Sequence, residues 1–381
     1  METSKQKISR RRLFYLLNMF LANAFIAKPV SAVDKHIFSN RKYKIMSGYR
    51  DIQGFDNFGL FRFDGKKVFS VKLNWRSHDS EFVNKKKEIV VFPRRPGKKI
   101  IIIDAKEGIL KNEITSKKGY HYYGHGTYSD SRKYLYASEN NYTYTDSKSG
   151  IIGIYDTENN YKRIGEFSSY GIGPHEIKMS SDESNIIVAN GGILTHPNFP
   201  RIKLNLDSMD PNISIINANS GKLIQQYKLS KGLNKNSIRH LDVSSSGEII
   251  IACQYNGNIL EEVPLLVKIN KENKVKFLHF PKELAKKSKN YCGGIKILNN
   301  SDMLMASFPR GGILAYWNLS DGKFIGLKNN KDVCGIDVIN NLSLFVISNG
   351  KGEIFVKQTN KYKKLFNKNI QWDNHLKVIK V

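Results

Sequence analysis

The sequence predicts an all-β protein, a seven-bladed β-propeller closed by its C-terminal strand. Three observations predict it. From residue 44 onward, short apolar strands alternate with Gly/Asn/Asp/Ser turns, and helical periodicity is almost absent. A unit of four short strands recurs every 40–55 residues or so, roughly the length of a propeller blade. A histidine or cysteine opens most of these units.

The units follow in order. The first, about 44–73, contains GLFRF and KKVFSVKL but lacks a clear first strand. The second runs from His78, the third from His125 and the fourth from His175 to about Leu229. The fifth runs from His240, the sixth from Cys292 and the seventh from Cys334. In each, an alternating strand leads through a turn to a dense apolar strand, then a Gly loop and two more strands. A sandwich does not repeat one unit seven times. Trp372–Val381 resembles a first strand with no blade after it. It is expected to complete the first unit and so remove the open edges of the ring. Lys282–Lys289 is the one stretch expected to form a helical turn or two. The architecture is therefore of the YVTN/WD40 kind, over residues 44–381.

The N-terminus reads differently. In residues 1–32 a basic region (Lys5, Lys7, Arg10–Arg12) precedes the apolar stretch Leu13–Ala27 and the small residues Val30-Ser31-Ala32. This is the pattern of an export signal cleaved after Ala32, with 33–43 as a lead-in. Ser9–Phe14 resembles a twin-arginine signal, a route that carries folded proteins. A general secretory route stays open. The apolar stretch is short for a membrane span and holds Asn18 and Asn23, so no stable span is expected after cleavage. The expected location is the periplasm.

The formal charge of +27 falls to +22 without residues 1–32, which carry six Lys/Arg and one Glu. The lysines are scattered and no nucleic-acid motif occurs, so a nucleic-acid partner is not expected. The three cysteines, Cys253, Cys292 and Cys334, are too few for a disulfide framework, and no CxxC pattern exists. No GxSxG, HExxH, Walker loop or CxxCH sequence is present, which favours a binding protein over an enzyme.

Aligning the units on their second strands carries the functional reading. His125 and His240 lie twelve residues before Ala137 and Ala252, and His78 and His175 fourteen before Phe92 and Ala189. His375 opens the closing strand. Five imidazoles, His78, His125, His175, His240 and His375, are thus expected around the channel mouth, with Cys292 and Cys334 beside them as soft ligands or a disulfide pair. Converging imidazoles suit iron, copper or zinc. A seven-bladed mouth is wide, so a subset of three or four histidines, or a multinuclear site, is expected. Glu139, Glu176, Arg239 and Asp373 are the candidates for hydrogen bonds to those ligands. The loop after strand two of the fourth unit is long, which places His196, Lys203, Asn205 and Asp207 as candidate covers of the mouth. Arg310, in Pro309–Gly312, is a candidate anion contact.

The ordered motifs HGTYS, ENNY, GIIGIYD, GIGPHE, ANGGI, KLNLDSMDP, SIRHL, ACQY, PRGG, DVCG and WDNHL resemble the bacterial exported family called domain of unknown function 1513. The resemblance covers roughly 40–380. It implies a periplasmic propeller with a twin-arginine-type leader, in the genomic company of imelysin-like iron-uptake proteins and di-haem oxidoreductase-like proteins. It implies no activity and transfers no site residues. The leading expectation is a metal-binding propeller in iron or copper acquisition or handling. The alternatives are a redox metalloenzyme or dehydrogenase-type subunit, and a scaffold for an imelysin-like partner.

Overall fold

The computed structural model describes residues 42–199, 202–358 and 361–380. The expected leader over 1–32 and nearly all of the lead-in over 33–43 lie outside the described residues. Tyr43–Val381 forms one compact unit of seven four-stranded antiparallel sheets. The chain is a seven-bladed β-propeller.

Six blades run in sequence order from the axis outward. Their inner strands are Ser77–Val83, Tyr120–Tyr128, Pro174–Met179, Asn236–Val243, Gly294–Leu298 and Val333–Ile339. The remaining blade is a hybrid. Gln371–Lys380 lies innermost and pairs with Tyr43–Arg50, followed by Asp56–Arg62 and Lys67–Lys72. The strand expected from Trp372 onward therefore closes the ring. Neighbouring inner strands touch all the way round the axis.

Composition follows radial position. Second strands pack both faces against neighbouring blades, so Glu88–Pro93 (EIVVFP) and Leu344–Asn349 are buried at every position. Outer strands have one wet face, and Lys162–Ser168 (KRIGEFS) alternates between exposed and partly exposed residues. Between blades the apolar faces interlock. Val90, Phe92 and Ile102 meet Tyr122, Leu135 and Ala137 across one such seam. Each fully buried aliphatic side chain stabilises the fold by about 1.5–3 kcal/mol.

Boundaries differ from expectation in several units: the fifth inner strand begins at Asn236, four residues before His240, and the closing strand at Gln371, four before His375. The third inner strand begins at Tyr120, five residues before His125, because Tyr120, His121 and Tyr122 keep pairing with Glu139–Asn141. The sixth begins at Gly294, so Cys292 precedes it. The expected helix is present at Lys282–Ser288, between the fifth and sixth blades. No helix among the described residues is long and apolar enough to cross a membrane.

Closure rests on backbone pairing such as Ile45 with Val378, and on a cluster around Trp372. That indole meets Phe61 at 5.0 Å and Tyr49 at 6.0 Å between ring centroids, both edge-on. Ser47 Oγ donates to the His375 carbonyl at 2.7 Å. Trp372→Ala is expected to lower unfolding stability by about 3–5 kcal/mol, the range for a buried aromatic truncated in place. Urea midpoints measure it; a loss below about 1 kcal/mol would show that this anchor contributes little to closure.

Candidate metal centre in the channel

A regular strand sends alternate side chains to opposite faces. The inner strands that carry histidines break that rule at the histidine. In the blade from Ser77, pairing shifts between Ser77 and Ser80, leaving His78 and Asp79 in a bulge. The next shifts between Tyr122 and Gly126, around His125, and the next between Pro174 and Ile177, around His175 and Glu176. The fifth-blade shift falls between Ile238 and His240. In the closing strand, the residues between Trp372 and Leu376 stand opposite the single Gly48. A bulge inserts an extra residue, bends the strand and re-aims side chains. Here it swings imidazoles toward the axis. At Gly124 the bulge takes φ to +108°, and a Cβ there would lie 2.4 Å from His78 Cδ2. Glycine is required both by conformation and by the approach of that ring.

The five rings form one packed cluster. Centroid separations are 4.8 Å for His78–His125, 4.7 Å for His125–His175, 4.8 Å for His175–His240, 5.0 Å for His240–His375 and 4.8 Å for His78–His375. His125 also meets His375 at 4.9 Å and His240 at 5.7 Å, so it touches all four others. The expectation of a wide mouth is corrected: the bulges bring the rings into mutual contact, and His125 is only 1% exposed. Two triads, His78/His125/His375 and His125/His175/His240, each have ligand atoms within 4.8 Å of one another. Each can hold a metal ion. Nitrogens on one ion sit about 2.0–2.1 Å from it, so the ligand atoms of a triad would have to draw closer to share one.

Two of the rings are oriented by carboxylates. His125 Nδ1 lies 2.9 Å from Asp79 Oδ2, and His240 Nδ1 lies 3.1 Å from Glu176 Oε2. An ionised carboxylate only accepts, so each Nδ1 is the donor. His125 Nε2, His375 Nε2, His175 Nδ1 and both nitrogens of His78 are buried without a hydrogen-bond partner among the described residues. Burial pushes His78, His175 and His375 well below the usual imidazole range; the neighbouring rings add to it at His78, Arg239 adds to it at His175, and Asp79 pulls against it at His375. Burial also lowers His240, against the pull of Glu176. Burial opposes ionisation of Asp79 and Glu176. Lys377 and His125 at the first, and Lys178 and His240 at the second, outweigh it and hold both well below the carboxylate range.

Further along the same strands lies a paired layer. Lys377 meets Glu81 at 2.6 Å, Lys178 meets Asp242, and Lys296 meets Asp337 at 3.5 Å. On the other side of the cluster a cavity of about 240 Å³ opens, with His78, His175 and His240 among its lining. Arg94, Arg95, Lys203, Arg239 and Arg310 also line it.

The other sequence-predicted residues sort by position. Glu176 is brought to the cluster. Glu139 is not: it sits on a second strand, buried against Tyr155 and 3.0 Å from Arg163. Asp373 is held by Arg76 at 2.7 Å rather than by an imidazole. Arg239 lines the cavity, and burial beside Arg95 lowers it to about 9. Lys203 and Arg310 reach the same cavity. Asn205 instead holds its own loop through Leu194 N and the Gly192 carbonyl. Asp207 faces Lys235 at the surface, and His196 packs edge-on to Tyr142. Cys292 and Cys334 are free thiols outside the cluster. Burial raises both, Cys292 to about 12, which makes them poor thiolate donors. Asp79 was missed, although His78-Asp79 repeats the His–acid order of His175-Glu176. His121 is buried but separate, bonded to the Tyr122 carbonyl and to Asn140.

A family model described as a protein of unknown function, DUF1513, matches residues 71–379. The chain belongs to the DUF1513 family. The DUF1513 match spans all five cluster histidines. No curated protein matches the sequence. Among solved structures, the Kuenenia stuttgartiensis hydrazine synthase is similar at TM-score 0.61 and 12% identity, over 82% of this chain and 94% of that one. A structure of U3-55K is similar at TM-score 0.59 and 11% identity, over 80% and 85%. At such identities the likeness is one of fold.

A pH dependence follows from the four lowered histidines. Their folded pKa values lie below the unfolded value near 6.5, so the unfolded chain takes up protons first as pH falls. Stability is full above about pH 6.5 and declines below it, each group adding a slope of up to about 1.4 kcal/mol per pH unit. Urea midpoints of chelator-treated protein should fall between pH 7.5 and 5.5, and His175→Gln should flatten the decline. Equal midpoints at the two pH values would contradict a neutral, buried cluster.

Proposed function

We propose that this chain binds a transition-metal ion at the five-histidine cluster and serves in the acquisition or handling of iron or copper in the periplasm. One observation carries the reading: five nitrogens on four of the clustered imidazoles are buried without a hydrogen-bond partner among the described residues, and the cluster holds two triads whose ligand atoms lie within 4.8 Å of one another. An unsatisfied buried polar group costs about 1–3 kcal/mol. A metal satisfies several at once. The donor set is all imidazole, which suits copper, zinc and iron, with copper bound most strongly on general grounds. His125 belongs to both triads and is the central ligand; His78 and His375, or His175 and His240, complete the set. Asp79 and Glu176 fix the rings that ligate through Nε2. A bound ion supplies Lewis acidity and, for iron or copper, one-electron chemistry. The periplasmic setting rests on the leader pattern and the family resemblance.

A redox enzyme is the second reading, favoured by the cavity that opens onto the cluster. A visible absorbance that changes on reduction separates it from a carrier.

Elemental analysis of protein purified from the periplasm should find iron, copper or zinc. His125→Ala should abolish binding, and His78→Ala should leave the triad of His125, His175 and His240 competent. Asp79→Asn should weaken affinity about 10–100-fold through the ring it orients. Protein that takes up no metal above background, with circular dichroism showing it folded, would sink the proposal.

A further inference from the structure

The mouth of the channel carries five cations drawn from four blades. Arg94 and Arg95 follow a second strand, Arg310 follows another, Lys203 lies on the long loop of the fourth blade and Arg239 on the fifth inner strand. They line one cavity of about 240 Å³ above the histidines, and among the described residues no Asp or Glu lines it with them. Lys178, Lys296 and Lys377, on the far side of the cluster, each have a carboxylate partner. None of the five mouth cations has one among the described residues. Arg239 is 6% exposed, and its Nε has no hydrogen-bond partner among the described residues. Arg95 Nη1 is buried in the same condition. Two of the guanidinium groups are steered by aromatic faces, Arg310 over Tyr291 at 4.3 Å and Arg95 over Tyr123 at 5.9 Å.

The buried Arg239 with its unpartnered Nε and the unpartnered Arg95 Nη1, gathered with Arg94, Arg310 and Lys203 against their mutual repulsion, favour anionic oxygens among them. The planar fork of arginine donates paired N–H groups to a carboxylate or a phosphate. The number of oxyanion groups follows from the layout. The cations stand on different blades around the opening, so one tetrahedral anion reaches only some of them. A small di- or tricarboxylate spans them and is compatible with the cavity volume.

We propose that the channel mouth is a binding site for a small polycarboxylate, held by Arg95, Arg239 and Arg310 with Arg94 and Lys203 closing around it. The site stands on the cations and needs no metal, so it goes beyond the metal-binding reading.

The test is calorimetric titration of the chelator-treated full chain with citrate and, separately, with inorganic phosphate. Citrate should bind, more tightly than phosphate, and should weaken at least tenfold from low to high salt. The double variant R95Q/R310Q, at partly exposed positions and checked for folding by thermal melting, should bind citrate at least tenfold more weakly, with R95K/R310K intermediate. Absence of citrate binding, or binding equal in wild type and R95Q/R310Q, would overturn the site. Phosphate binding without citrate binding would overturn the polycarboxylate assignment. Metal uptake by the same samples reports on the histidines alone. Citrate bound by protein that takes up no metal leaves this site standing and removes the metal reading; metal retained with no citrate bound does the reverse.

Discussion

The centre of this propeller depends on one piece of pairing, the closing strand Gln371–Lys380 laid inside Tyr43–Arg50. Without it the blade has no inner strand, its neighbours have no partner on one side, and His375 has no fixed place. The strand therefore has two tasks that cannot be separated. It removes the open edges of a ring of sheets, and it delivers one of the five imidazoles. Trp372 ties the two together, because its packing against Tyr49 and Phe61 sets the register in which His375 meets His78 and His240.

Along the axis the channel is built in three electrostatic layers. Cations without a carboxylate partner among the described residues surround the mouth, buried imidazoles fill the middle, and ion pairs occupy the region further along the strands. Burial disfavours protonation of His78, His175, His240 and His375, and His175 also lies next to Arg239. Asp79 and Glu176 join the middle to the paired layer. Each is held ionised by a lysine on one side and hydrogen-bonded to a histidine on the other.

Much of this was legible in the sequence, for reasons that can be named. The blade repeat is visible because each second strand must be apolar on both faces, and the histidines are visible because they hold a constant offset from it. The closing strand shows itself as a first strand without a blade. What the sequence hides is the bulge. Only Gly124 leaves a trace of one; the others sit in ordinary residues, so a reading by alternation sees the histidines at a wide rim rather than in contact. Asp79 hid because its partner, His125, is on the next blade, 46 residues away. Glu139 misled because it adjoins a His-bearing strand in the sheet, while its side chain points to Arg163. Arg94 and Arg95 read as part of a basic turn, and only the ring brings them beside Arg239 and Arg310.

The closing strand has a further consequence in time. It joins segments more than three hundred residues apart, as in the hydrogen bond between Ser47 and His375. Contacts of such separation are slow to form, because the chain must give up its loop entropy before they reward it. The histidines come from five blades, so no intermediate lacking the closed ring contains the complete cluster. An ion that arrives early meets scattered imidazoles and gains little from any one of them. Under the metal-binding proposal, uptake at the finished site would thereby be coupled to closure of the ring, and an occupied cluster would oppose the opening of that same strand.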